Sequence, residues 1–220
     1  LFDVDTRLRP DGKSGSLAIH IHRLSAYFTN EAWPWEYCAF LKARTINTGK
    51  TFNTSLQQTL LNIKTSPPAP ESLFEDIRLM RKRLVTDPNA AQSLKKRPGG
   101  FLDAEFLAIL MVVKGGHTAL VTDPAGCPQI ILQKLIQKSN QKDMISKVCS
   151  GLHELELILH FTSLCLGKSS GELNASENPQ TWKALADQLD LTTASNIPLR
   201  IENICRHTAS ALDSFLRSIR

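Results

Sequence analysis

Apolar residues in the second half of the chain recur at helical spacing almost without interruption. In 71–85 they fall at 73, 74, 77, 80 and 84, one face of a helix. Leu102–Val113 is apolar nearly all round, which predicts a buried helix. Further helices are predicted over 127–138, 141–166, 179–189 and 198–219, with Gly167 to Asn178 as a polar break rich in Ser, Gly and Asn. Residues 86–100 read as a loop, because Pro98-Gly99-Gly100 cannot sit inside a helix.

The first third is less regular. Residues 1–9 read as a strand and 10–16 as a turn built on Pro10-Asp11-Gly12. Leu17 to His22 fits either a short strand or the approach to a helix near Leu24–Asn30. A helix is predicted around Trp35–Arg44 with Trp35, Ala39 and Ala43 facing inward, and another over Thr51–Lys64. Thr65-Ser66-Pro67-Pro68-Ala69-Pro70 ends it and is the best domain boundary in the chain. The expected class is α+β, mainly α, with one domain over 1–65 and a helical bundle over 71–220.

Composition narrows the function. A hydrophobic share of 42% in 220 residues supports a real core. The net charge of +5 suits an anionic ligand or acidic partner, but the cations are scattered and aromatics make up only 6%. Nucleic acid is therefore not an expected partner. No apolar run approaches the ~20 residues of a membrane helix, so no membrane role is expected. Cys38, Cys127, Cys149, Cys165 and Cys205 form no Cys-x-x-Cys pair. Most are expected to be core thiols of a cytoplasmic protein, with neither zinc binding nor a disulfide framework indicated. The six histidines show no metal-binding spacing.

The chemistry concentrates at the start. On a strand, Asp3 and Asp5 share one face, and Arg7 and Arg9 follow at the same spacing. Carboxylates hold Mg²⁺, guanidiniums pair with phosphate oxygens, and the following Gly12-Lys13-Ser14-Gly15 lets backbone N–H groups approach a ligand. That combination suits a metal-bound polyphosphate. The competing reading is an edge strand with surface ion pairs and a solvated Lys13.

Four segments sharpen the choice. They are Val4-Asp5-Thr6-Arg7-Leu8-Arg9-Pro10, then Ala32-Trp33-Pro34-Trp35-Glu36 running to Ala43-Arg44, then Met80-Arg81, then Gly99-Gly100-Phe101-Leu102-Asp103-Ala104-Glu105-Phe106. In this order and approximate spacing they resemble the bacterial glutamine synthetase adenylyltransferase/adenylyl-removing family, across roughly residues 1–110. The resemblance implies a remnant of a polymerase-β-like nucleotidyltransferase core followed by a helical bundle. It implies transfer of AMP from ATP to a tyrosine of glutamine synthetase, with Mg²⁺ and ATP as cofactors. Glutamine synthetase and a PII signalling protein are the implied partners. The wording of the tryptophan segment is closer to the adenylylating half.

Residue by residue, Asp5 matches the family's third metal carboxylate, and Asp3 is the weaker metal candidate on the same face. Arg7 and Arg9 would contact the triphosphate or orient the carboxylates. Lys42 and Arg44 end the tryptophan helix, where positive charge is favourable structurally and could also meet phosphate. Trp33 and Trp35 are expected to pack in the core, and Glu36 to complement the helix dipole. Lys95 and Asp103 are implied to line a cleft between core and bundle, against a purely capping role for Asp103. The family's Gly-Ser turn and Asp-x-Asp strand have no counterpart in these residues: Gly15-Ser16 leads into an apolar run. The chain is therefore expected to be part of a longer enzyme and inactive alone. The alternative is a non-catalytic helical module that binds glutamine synthetase or a PII protein.

Overall fold

The structure, a computed structural model, describes residues 9–45, 50–88, 90–117, 128–166 and 179–219. Its elements run α1 (Ile21–Asn30), α2 (Pro34–Phe40), α3 (Lys50–Thr65), α4 (Pro70–Val85), α5 (Phe101–Lys114), α6 (Pro128–Ile136), α7 (Lys142–Leu166), α8 (Pro179–Gln188) and α9 (Asn196–Arg217). Short 3-10 turns cover Gly12–Ser14 and Ala90–Gln92. The protein is mainly helical, and no strand occurs among the described residues. The strand expected at 1–9 falls outside them except for Arg9. Of the two alternatives for Leu17–His22 the helix approach holds, since α1 starts at Ile21.

Two compact units emerge, one of Leu1–Ile77 with Val112–Cys127, the other of Arg78–Met111 with Pro128–Arg220. In the first unit α1 packs on α3, and Tyr27, Tyr37, Cys38, Leu41 and Ile63 are buried. The buried stripe of α2 is thus Tyr37, Cys38 and Leu41. This corrects the expectation for the tryptophans: Trp33 is 64% and Trp35 41% exposed. The reason is helical phase. Trp35 stands two residues from Tyr37, on the opposite side of a 3.6-residue turn, and once the tyrosine points inward the tryptophan cannot.

In the second unit α7 runs along α6 and α9 and touches α8. Leu155 and Ile158 of α7, Trp182, Leu185 and Ala186 of α8, and Ile197, Ile201, Ile204 and Cys205 of α9 form one apolar cluster. Leu94, from the loop before α5, completes it and is fully buried. Gly151 marks the closest approach of α7 to α9, since a Cβ there would press on Ile204 Cγ2 at 2.7 Å.

Thr208 of α9 is fully buried, and its Oγ1 has no hydrogen-bond partner. An unsatisfied buried hydroxyl costs about 1–3 kcal/mol, and valine has the same shape without it. Thr208→Val is expected to raise the unfolding free energy by about 1 kcal/mol, read from the midpoint of urea denaturation.

Cys38 and Cys205 are buried, Cys149 is half-buried and Cys165 is exposed, and none of the four is in a disulfide. Cys127 lies outside the described residues. Burial pushes Cys149 and Cys205 up to about 11, so neither is poised as a nucleophile. No helix among the described residues is long and apolar enough to cross a membrane.

Candidate functional site

The N-terminal turn is closed by its own residues. Arg9 Nε donates to the Gly15 carbonyl at 3.2 Å, and Ser14 Oγ donates to the Asp11 carbonyl at 2.9 Å. Asp11 and Gly12 both have positive φ, 61° and 52°. Arg9 therefore orders the loop that carries Lys13, whose side chain lies outside the described residues, as do Asp3, Asp5 and Arg7.

Glu36 does more than complement a dipole. At the third position of α2, its Oε2 accepts the Trp33 N–H at 2.9 Å, satisfying a backbone donor at the helix start. Both its oxygens also accept from the Tyr27 hydroxyl at 2.9 Å, which joins α1 to α2. Burial and the neighbouring carboxylate push the Tyr27 hydroxyl up. Arg23 pairs with Glu31 across the same corner, with one contact at 2.8 Å.

Beyond α2 the chain passes Lys42, exposed, and reaches Arg44, also exposed. Arg44 lines a cavity of about 500 Å³ with Ala43, Thr45, Gln57, Leu60, Leu61 and Lys64. Lys64 is only 5% exposed, in the last turn of α3. Its carbonyl accepts the Tyr37 hydroxyl at 2.7 Å, tying α2 to α3. The bond satisfies one of the carbonyls that a helix C-terminus leaves open. Tyr37 is itself buried, which raises its hydroxyl pKa. Tyr37→Phe is expected to cost about 1–2 kcal/mol in urea denaturation by leaving that carbonyl unpaired.

The second constellation lies in the other unit. Asp103, 3% exposed, stands at the third position of α5. Its Oδ2 accepts the Gly99 N–H at 2.7 Å, and Arg81 Nε lies 3.1 Å from each carboxylate oxygen. Burial raises the Asp103 pKa, while Arg81 and the Gly99 N–H pull it back. Arg81 also pairs with Asp213 on α9. Lys95 is exposed and does not share this arrangement; it contributes its carbonyl, which accepts the Leu102 N–H at 3.1 Å. Leu94 does the same for Phe101 at 3.1 Å, so the loop caps the start of α5. Beside Arg81 a groove of about 560 Å³ carries Arg78, Lys82 and Arg217 against the single carboxylate of Asp213.

Of the described residues singled out in the sequence, Arg9 lies in the N-terminal turn, Lys42 and Arg44 follow α2, and Lys95 and Asp103 flank the start of α5. Sequence reasoning passed over Lys64 and gave no role to Arg81 beyond its place in a motif. A lysine ending a helix reads as a dipole complement, and nothing local signals that it is buried. Among the described residues no three His, Cys, Asp or Glu side chains converge as a metal site.

Residues 1–85 match the family model described as glutamate-ammonia ligase adenylyltransferase. Proteins named bifunctional glutamine synthetase adenylyltransferase/adenylyl-removing enzyme are similar over a comparable stretch. That of Brucella suis biovar 1 is 34% identical over 117 residues, which cover 52% of this chain and 12% of the relative. That of Xanthobacter autotrophicus is 35% identical over 115 residues, 51% of this chain and 12% of the relative. That of Bradyrhizobium sp. strain BTAi1 is 33% identical over 110 residues, 49% and 11%. The match thus spans about an eighth of the relatives' own length. The matched segment contains Arg9, Lys13, Lys42 and Arg44, whereas Lys95 and Asp103 lie beyond residue 85.

Proposed function

We propose that this chain is part of a glutamine synthetase adenylyltransferase, moving AMP from ATP to a tyrosine hydroxyl of the synthetase and releasing pyrophosphate. The observation that carries the reading is the family match over 1–85, together with the names of the relatives. Such a reaction removes a proton from a phenol and displaces pyrophosphate in line at the α-phosphorus. Positioning and charge stabilisation do most of that work.

In this reading Asp5, with Asp3 beside it, would hold Mg²⁺, which would stabilise charge on the phosphate oxygens. Arg7, Arg9 and Lys13 would meet the phosphates. The tie from Arg9 to the Gly15 carbonyl supports a preformed turn at that end. The two carboxylates that would hold the metal lie outside the described residues. Asp103 is engaged by Arg81 and by the Gly99 N–H. A PII signalling protein is the proposed regulatory partner.

The test uses the full-length polypeptide with glutamine synthetase, Mg²⁺ and ATP labelled at the α-phosphate. Label on a synthetase tyrosine, with an equal amount of pyrophosphate released, is the expected result. Stable binding of the synthetase with no transfer of label would identify a docking module and overturn the catalytic reading.

A further inference from the structure

The cavity beside α3 holds a lysine in surroundings that ordinarily exclude one. Lys64 is 5% exposed, and among the described residues its ammonium meets no carboxylate and no hydrogen-bond acceptor. Burial alone accounts for the lowering of its pKa. Charged groups buried to this degree are ordinarily paired, because desolvating an isolated ion costs several kcal/mol. The ammonium is not sealed in, however. Thr208 Oγ1 is the sole described side-chain atom that is both shut off from solvent and unpartnered, so Lys64 keeps accessible space. That space is the cavity of about 500 Å³ it lines.

The remaining walls define what would fit. Arg44 brings a second cation from the segment after α2, and among the described residues no acidic side chain lines the cavity. A guanidinium offers a planar fork of N–H donors and an ammonium a compact point charge, a pairing that suits an oxyanion approached from two sides. Thr45 and Gln57 add polar groups, while Ala43, Leu60 and Leu61 supply apolar surface. The volume is in the range of small-molecule sites and far exceeds a bare ion.

We propose that this cavity binds a small organic oxyanion, its phosphate or carboxylate held between Lys64 and Arg44 and its apolar body against Leu60 and Leu61. The ligand supplies the counter-charge that no described residue gives Lys64, so part of the binding free energy is relief of a desolvated ammonium. The assignment rests on the cavity alone. It stands or falls independently of adenylyl transfer, since its test reads binding and stability rather than activity.

The experiment titrates the full-length polypeptide with phenyl phosphate and with phenylacetate by calorimetry, benzyl alcohol being the neutral control. One or both anions are expected to bind saturably with Kd at or below about 1 mM, and the alcohol not at all. The better probe distinguishes a phosphate ligand from a carboxylate ligand. Arg44→Ala, at an exposed position, and Lys64→Met, which keeps the length of the stem, are each expected to weaken binding about tenfold or more. Lys64→Met also reports on folding. Without ligand it should melt higher than the parent near neutral pH, because the buried charge is gone.

That advantage should shrink as pH rises towards the ordinary lysine value of about 10.4. The native-state ammonium then loses its proton before the unfolded one does, and the parent gains stability. Arg44 and Tyr37 are the described titratable groups beside Lys64. Tyr37 holds its proton across that range, because burial raises its pKa. Absence of saturable binding by either anion up to about 10 mM, or binding that survives either substitution, would overturn the proposal.

Discussion

Asp103→Ala is expected to lower the unfolding free energy by about 3–5 kcal/mol, enough to leave the second unit largely unfolded at modest urea. The size follows from what the carboxylate does. It is 3% exposed, accepts the Gly99 N–H at 2.7 Å and takes both oxygens to Arg81 Nε at 3.1 Å. Removing it leaves a guanidinium, itself mostly buried, with only the half-exposed Asp213 as partner. It also strands a backbone donor in the turn before α5. The loss of a buried pair is dominated by the charge left behind rather than by the attraction removed. The double substitution Asp103→Ala, Arg81→Met is therefore expected to cost clearly less than the sum of the two single changes. Additive effects in the urea midpoints would show that the two side chains do not act as a pair.

Gly99→Ala should be nearly as damaging, for reasons of space rather than charge. Gly99 has φ of 77°, a region that alanine enters at a cost. A Cβ at this position would also run into the Cys205 backbone, colliding with its carbonyl and approaching its Cα to 2.7 Å. Backbone atoms of a helix cannot swing aside as a side chain can, so α9 would have to move. Strain and overpacking each contribute on the order of 1–3 kcal/mol, giving a loss of about 2–5 kcal/mol. Gly116→Ala separates the two causes. Gly116 has φ of 63° but open space where its Cβ would be, so only the backbone term of about 1 kcal/mol applies. Equal losses at the two positions, measured by thermal and urea denaturation, would show that contact with α9 is not what fixes Gly99.

Much of the helical part was legible because its punctuation is chemical. Pro70 opens α4, the polar loop after Val85 ends it, and the observed Pro70–Val85 differs from the expected 71–85 by one residue. α7, Lys142–Leu166, and α9, Asn196–Arg217, likewise fall within two residues of the expected ranges 141–166 and 198–219. The face of α2 was misread because two tryptophans outweigh a Tyr-Cys pair on any hydrophobic scale, while the packing of Tyr37 against Lys64 is a long-range event. The local reading of Asp103 as a capping acid is visible in its bond to Gly99, but its salt bridge comes from 22 residues upstream. Burial of Lys64 depends on how α3 meets the segment after α2, and no pattern within α3 encodes that.

Arg81 reaches forward 132 residues to Asp213, and Arg78 donates to the Leu216 carbonyl at 2.7 Å across 138. During synthesis these side chains leave the ribosome long before their partners exist. Until α9 emerges, Arg81 has one acid instead of two, the Leu216 carbonyl is not there for Arg78, and the apolar faces of α7 and α8 lack Ile197, Ile201, Ile204 and Cys205 of their cluster. Helices joined by such distant contacts close late, and the waiting intermediate exposes hydrophobic surface. The second unit is thus committed to folding after translation has passed residue 216, which makes the nascent chain, rather than the finished protein, the species most dependent on chaperones.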